Sequence, residues 1–292
     1  MTHEILITGA TGNVGSGVVA RLLEHGISPR ILVRDPDRVP QHWLDGGPRV
    51  DVAVGDFEDA ASLDAAMTGV RRVFLTSSDG PDKVAHETAV VDAAHRADVD
   101  RIVKLSAMHA EIGSPLPAFD WHGRIEAYLA DRGAPHVLLR PAFFMENLLM
   151  VAAGVAAGQL AGPVAGQRVA MVAVSDVATS GAAALLAETV RPAYVLTGPE
   201  AITFTQVATA LTRAIGRQVD FLDLTPEQAR PRFAGAGHPD WLVQQLAGVF
   251  GLIRAGAFDH VADGVPVLTG SPATSVDQWA TSCAAVFSGR AA

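Results

Sequence analysis

The opening segment of the chain limits its fold more than any other. The apolar run Ile5-Leu6-Ile7 passes through Thr8 into Gly9-Ala10-Thr11-Gly12-Asn13-Val14-Gly15, and Val18, Val19, Leu22 and Leu23 then recur at the spacing of one helix face. Gly26 ends that helix and a second apolar strand, Arg30-Ile31-Leu32-Val33, follows, so the segment reads as a complete strand–helix–strand unit. Its glycines, Gly9, Gly12 and Gly15, are spaced Gly-x-x-Gly-x-x-Gly. The first lets the chain turn sharply off the strand, the second lets backbone N–H groups approach a phosphate, and the third lets the helix pack closely on the sheet. The helix start then offers its positive end to an anion, which suits the pyrophosphate of a dinucleotide. A glycine triplet alone is a weak sign; the flanking strands give it weight.

Arg34 stands at the tip of the second strand, where an acid would bond the ribose 2′-hydroxyl of NAD. A guanidinium there pairs with a 2′-phosphate, so NADPH is the expected cofactor in preference to NADH. Asp35 follows directly and pulls the other way, and Arg34 as a solvated strand-end residue is the alternative.

With 292 residues, 49% of them apolar and 18% charged, the chain is long enough to bury a large core. We expect a nucleotide-binding core over residues 1–155, and over 156–292 the remaining core elements with a smaller C-terminal substrate lobe, all in one structural unit. The Ala- and Val-rich stretches are broken by Gly, Pro or charge, so no membrane span is expected. With the first strand beginning this early, no signal peptide is expected. A single cysteine, Cys283, allows no internal disulfide or thiolate metal site and fits a reducing cytoplasm. A net charge of −9 argues against nucleic-acid binding. Only two residues are lysines, Lys83 and Lys104.

Strand and helix alternate through the first half. The pattern predicts strands at 50–54, 72–76, 101–106 and 136–140, with helices at 62–69, 81–97 and 120–132 between them. Short apolar strands joined by helices indicate an α/β, doubly wound Rossmann-type parallel sheet. Later the sequence predicts a helix opening at Val174 with Ser175 as its N-cap, strands at 194–196 and 219–224, and helices at 205–215, 241–253 and 275–287.

At this point the chain resembles the NmrA-like family of atypical short-chain dehydrogenases/reductases, which includes quinone reductases, azoreductase-like and triphenylmethane-reductase-like proteins. The likeness is carried by Gly9 to Gly15, Val33-Arg34-Asp35-Pro36, Gly55-Asp56, Leu105-Ser106-Ala107, His122-Gly123-Arg124-Ile125-Glu126 and Leu139 to Asn147, with Val174 to Ala178 and Leu196 to Glu200 as later landmarks. It runs in order over roughly the first 220 residues and thins beyond about Thr225. The resemblance implies that Thr11, Gly12, Asn13 and Val14 hold the pyrophosphate and that Asp56 and Phe57 flank the adenine. It implies that Thr76, Ser77 and Ser78 face the ribose next to the nicotinamide, and that Ser106 with the turn from Pro141 to Phe144 borders the reacting ring. Strand-end capping is the alternative for Ser77, Ser78 and Ser106.

Most short-chain reductases carry a Tyr-x-x-x-Lys pair, the lysine lowering the pKa of a tyrosine that donates a proton. With Glu126 taken as the acid that follows the lysine in extended members, His122 falls at the lysine position and Ala118 at the tyrosine position. Tyr128 and Arg132 have a related spacing but lie on another face, where packing against the sheet is expected. His122 and Ser106 are therefore the candidate catalytic residues. His122 either orients or protonates a substrate carbonyl near neutral pH, or bonds the ribose or a neighbouring loop. Phe143, Phe144, Met145, Leu148, Leu149, Met150, Trp241 and Phe250 are candidates for a flat apolar pocket, although such stripes also build cores.

The resemblance implies an NADPH-dependent oxidoreductase that passes hydride to a quinone-like, azo-like or other conjugated aromatic small molecule, without flavin or metal, as a monomer or homodimer. Loss of the tyrosine is compatible with electrophilic acceptors, which need positioning more than an acid. The alternative is a non-catalytic regulator that binds NAD(P) and reports redox state. An epimerase reading is weakened by the same missing tyrosine.

Overall fold

The computed structural model describes residues 4–45, 47–235 and 237–288, which group into two compact units. The first takes residues 4–114, Ala118–Arg140 and Val177–Val195; the second takes Pro115–Pro117, Pro141–Asp176 and residues 196–288.

The first unit is built from β1 (Ile5–Ile7), α1 (Asn13–Glu24), β2 (Arg30–Val33), β3 (Asp51–Val54), α2 (Ala60–Met67), β4 (Arg72–Leu75), α3 (Lys83–Arg96), β5 (Arg101–Leu105), α4 (Pro117–Asp131) and β6 (His136–Pro141). The chain continues through α5 (Ala152–Ala156), β7 (Gln159–Gly162), β8 (Arg168–Val169) and α6 (Val174–Leu186) before β9 (Ala193–Leu196) completes the sheet. The strand order is β3-β2-β1-β4-β5-β6-β9, and the pairs from β3 to β6 are parallel, with Ile7 opposite Ile31 on one side and Phe74 on the other. This is the doubly wound Rossmann-type sheet that the alternation of short apolar strands with helices predicts. Consecutive buried residues in Ile5-Leu6-Ile7 and in Val73-Phe74-Leu75 show why no polar alternation marks these strands: both faces are covered. One core packs Leu6, Leu63, Met67, Val73, Leu75 and Ile125 together without exposure beyond 1%.

The order reverses at β1, which has β2 on one side and β4 on the other, so ligands are expected outside the carboxyl ends of these strands. Thr8 ties the two ends together: its Oγ1 donates to the Thr76 carbonyl at 2.8 Å and accepts from the Thr76 N–H at 2.9 Å. At the opposite end of the sheet, Arg72 and Arg101 donate to the Leu185 and Ala184 carbonyls at the end of α6, where cations suit the negative end of the helix dipole.

The second unit pairs β7 in parallel with β11 (Asp220–Asp223), and β8 antiparallel with β10 (Ile202–Thr203). Around them lie α7 (Phe204–Ile215), α8 (Pro226–Gly235), α9 (Asp240–Arg254), α10 (Gly264–Thr269), α11 (Val276–Ser282) and α12 (Ala284–Phe287). Two expectations are corrected here. Ser175 is not the N-cap of α6, which begins at Val174; the Val174 N–H is taken instead by Glu146 Oε2 at 3.0 Å. The expected helix over 275–287 is two helices, capped at Ser275 and broken at Cys283 (φ −99°, ψ 6°), next to Ser282, whose hydroxyl donates back to the Trp279 carbonyl. No helix among the described residues is long and apolar enough to cross a membrane.

Candidate functional site

Because β3, β2, β1, β4 and β5 are parallel neighbours, the residues that follow them share one edge of the first unit. In that order they are Asp56 and Phe57, Arg34, Gly9 to Gly15, Thr76 to Ser78, and Ser106. The topology thus brings these predicted site residues together. Pro141 ends β6, and Phe144, bridged to Val172, belongs to the second unit.

Each glycine of the turn has a steric reason. Gly9 adopts φ +59°, and a Cβ there would lie 2.8 Å from Thr76 Cγ2 and 2.9 Å from the Thr76 carbonyl oxygen. A Cβ on Gly15 would lie 2.2 Å from the Gly9 carbonyl oxygen, the close helix-to-strand contact expected of the third glycine. Gly12 donates its N–H to Gly9 O at 3.0 Å and stands at the N-cap of α1, where no side chain caps the helix. Thr11, Gly12 and Asn13 are exposed, while Val14 and Gly15 are buried. An exposed, uncapped helix start carries unpartnered N–H groups, which are the donors a pyrophosphate uses.

Arg34 is exposed, and no ion pair to it is found among the described residues. Its neighbour Asp35 turns inward on the backbone: Oδ1 accepts from the Asp37 N–H at 3.0 Å and caps the short turn Pro36–Arg38. Asp56 makes a similar local bond to the Glu58 N–H, and the half-buried Phe57 ring lies 5.5 Å from that of His86. Ser78 is exposed, and the buried Thr76 holds the β1–β4 junction.

The two other serines are engaged within the protein. Ser77 Oγ donates to Glu87 Oε1 at 2.9 Å, and Ser106 Oγ donates to Glu126 Oε1 at 2.5 Å. Glu126 is in turn clamped by Arg140, Nε to Oε1 at 3.0 Å and Nη2 to Oε2 at 2.5 Å. The acid used to align His122 therefore holds β5, α4 and β6 together. Tyr128 behaves as expected of a packing residue: it lies against the hydrophobic core, and its hydroxyl bonds Asp92 at 2.7 Å and Arg132 at 2.6 Å.

His122 is 7% exposed, and its Nδ1 lies 3.1 Å from Lys104 Nζ. Burial, then the charges of Lys104 and Lys83, hold its pKa well below the ordinary imidazole value. That direction favours the neutral imidazole over the imidazolium. With an ammonium facing Nδ1, that nitrogen accepts and Nε2 carries the hydrogen. Among the described residues no protein group bonds Nε2.

The residues that hold Lys104 were not foreseen as a site. Glu87 is fully buried; its Oε1 lies 2.9 Å from Lys83 Nζ and its Oε2 lies 2.7 Å from Lys104 Nζ. The second contact is an ion pair without hydrogen-bond alignment, since Glu87 Oε2 has no hydrogen-bond partner. Lys104 instead aims its N–H bonds at His122 and at the Leu105 carbonyl. Lys83 also reaches the Ser77 carbonyl at 3.1 Å and Asp79 at 3.2 Å. Burial pulls Lys83 down, but Glu87 and Asp79 outweigh it and hold the pKa above the usual lysine value. Burial would raise Glu87, yet the two lysines, Lys104 foremost, hold it low. For Lys104 burial wins over Glu87 and lowers the pKa to about 8. The sequence signal was a lysine inside the apolar strand Ile102-Val103-Lys104-Leu105: such a charge is buried only with a partner, and Glu87, one turn after Lys83 on α3, is that partner.

In the second unit, Phe143, Met145 and Leu148 are buried core residues, Leu149 is half-buried and Met150 is exposed. Phe250 stacks on Phe233 at 5.6 Å, and both line a small cavity of about 70 Å³ with Arg230 and Arg254. Of the candidate pocket residues, Phe250 alone lines this cavity.

A doubly wound sheet with an uncapped glycine turn at its switch point defines a dinucleotide-binding protein of the Rossmann class. The profile of the NmrA-like family matches residues 1–267, and the chain belongs to that family. It is 33% identical to the NAD(P)H azoreductase of Xenophilus azovorans, over 97% of this chain and 99% of the relative. It is 35% identical to the (4-alkanoyl-5-oxo-2,5-dihydrofuran-3-yl)methyl phosphate reductase of Streptomyces griseus, over 97% and 99%. Among solved structures, the NADPH-dependent quinone oxidoreductase of Escherichia coli in complex with NADPH superposes with a TM-score of 0.85, 29% identity and coverage of 95% of this chain and 99% of that one.

Proposed function

We propose that this chain is an NADPH-dependent reductase that delivers hydride to a quinone-like or other conjugated aromatic acceptor in a reducing cytoplasm. The observation that carries the cofactor assignment is the exposed Arg34 guanidinium, free of ion pairs among the described residues, on the same sheet edge as the uncapped start of α1. Full-length likeness to reductases of azo, quinone and conjugated lactone compounds supports the acceptor class. The residues present fit the dinucleotide: the backbone N–H groups of Asn13 and Val14 at the start of α1 take the pyrophosphate, Arg34 the 2′-phosphate, Asp56 and Phe57 the adenine side, and Thr76 and Ser78 the nicotinamide ribose. Bound NADPH supplies a hydride. The chain must then orient the acceptor and supply one proton, and we assign the proton to His122 Nε2–H.

Purified protein should consume NADPH with at least one member of a panel of quinones, azo dyes and conjugated enones, followed by absorbance with cofactor binding measured in parallel. Tight binding with no turnover across the panel would sink the reductase reading in favour of the redox sensor. Within an active pair, His122→Ala should lower kcat by about 100-fold, the low end of general-acid effects, and leave NADPH affinity within about twofold. An unchanged kcat would return His122 to a purely structural role.

A further inference from the structure

We propose that Lys104 is a positioning residue for proton delivery, fixing His122 as the Nε2–H tautomer and passing a proton to Nδ1 as Nε2 gives one up. This rests on the reductase reading. The reason lies in the balance of the reaction. A hydride brings two electrons and one hydrogen nucleus to the acceptor, so each turnover needs one further proton, and the tyrosine position is Ala118.

A neutral imidazole is a poor acid by itself, because losing Nε2–H alone leaves an imidazolate. The 3.1 Å contact from Lys104 Nζ to Nδ1 removes that obstacle. The Nε2–H bond breaks as an O–H or N–H bond forms on the reduced acceptor, and an N–H bond forms at Nδ1 as one breaks at Nζ. The imidazole stays neutral throughout and Lys104 is left as the free amine. After product release a solvent proton at Nε2 lets Nδ1 return its proton to Lys104, which restores the starting state.

The rest of the cluster keeps the lysine charged and in place. Glu87 faces it from α3 at 2.7 Å, Lys83 and Ser77 bind the other carboxylate oxygen at 2.9 Å each, and Asp79 faces Lys83 at 3.2 Å. Burial of Lys104 and the charge of Lys83 both weaken its hold on the proton, while Glu87 and Asp79 strengthen it, giving a pKa of about 8. A lysine so poised gives up its proton more easily than one in water, which suits a donor that acts through a neighbour.

The test combines a pH profile with a spectroscopic readout on the unmodified enzyme. The single-turnover rate of NADPH oxidation by an active quinone should fall as pH rises through about 8, the value at which Lys104 loses its proton. Lys104→Met should lower that rate by about 100-fold, abolish the limb and leave NADPH affinity within about twofold. In ¹⁵N-labelled wild type, His122 should show Nε2–H and an acceptor Nδ1 below that pH, with Nδ1 shifting as Lys104 deprotonates; this reading stands even if Lys104→Met does not fold. A flat profile, or a His122 protonated at Nδ1 at neutral pH, overturns the relay while leaving the reductase reading intact. No turnover with any acceptor overturns both.

Discussion

Glu87→Gln will unfold at a much lower urea concentration than the parent at neutral pH, with a loss of about 3–5 kcal/mol, the usual cost of leaving a buried charge without its partner. The amide keeps the shape of the carboxylate, so Ser77 still has an oxygen to bond, but Lys104 loses its counter-charge and Lys83 keeps only Asp79. The pH dependence identifies the cause. Glu87 is held below its ordinary value, so the stability due to its charge is present above the unfolded pKa, is lost only as pH falls through the folded one, and is complete at neutrality. Lys104 is also held low, at about 8, and without Glu87 it drops further and sheds its proton. The difference between variant and parent should therefore shrink when the urea titration is repeated about one unit above that value. A loss under about 1 kcal/mol, or one equal at both pH values, would show that the cluster is held by packing and not by charge.

Arg34→Ala should weaken NADPH binding by about 10- to 100-fold, since hydrogen bonds to a charged group contribute about 1.5–3 kcal/mol. NADH, which lacks the 2′-phosphate, should bind within about twofold of the parent. The structure sharpens this expectation, because Asp35 spends its carboxylate on the Asp37 N–H and so does not compete for Arg34. Direct titration of each cofactor decides the matter; equal losses for both would sink the 2′-phosphate assignment.

Much of the first unit was legible in the sequence, because each element carries its own local cause. Ile5 to Ile7 is apolar without alternation, Gly9 needs a left-handed turn, and Gly26, at φ +77°, stops α1. The second unit was harder to read for the opposite reason. β8 and β10 hold two residues each, too few to show a period, and exist through their pairing. Ser175 looked like a cap because the rule weighs only local residues, whereas the Val174 N–H is satisfied by Glu146, 28 positions away in the chain. The candidate site divides in the same way. The glycine turn and Arg34 follow from position along one segment, while the link from Lys83 through Glu87 and Lys104 to His122 joins three elements that only the folded sheet brings together. The serines show the limit of strand-end reasoning: Ser77 and Ser106 sit where expected, yet their hydroxyls bond Glu87 and Glu126.

The burial of Lys83 and Lys104 also gives the folded surface an unusual chemical identity. The sequence holds no other lysine, and these two are 2% and 0% exposed, so every exposed cationic side chain apart from histidine is an arginine. Acylating reagents and lysine-modifying enzymes thus meet no side-chain amine on the intact fold. Mass added at Lys83 or Lys104 during brief acetylation would record molecules in which α3 had separated from β5, making the lysine pair a built-in reporter of local opening.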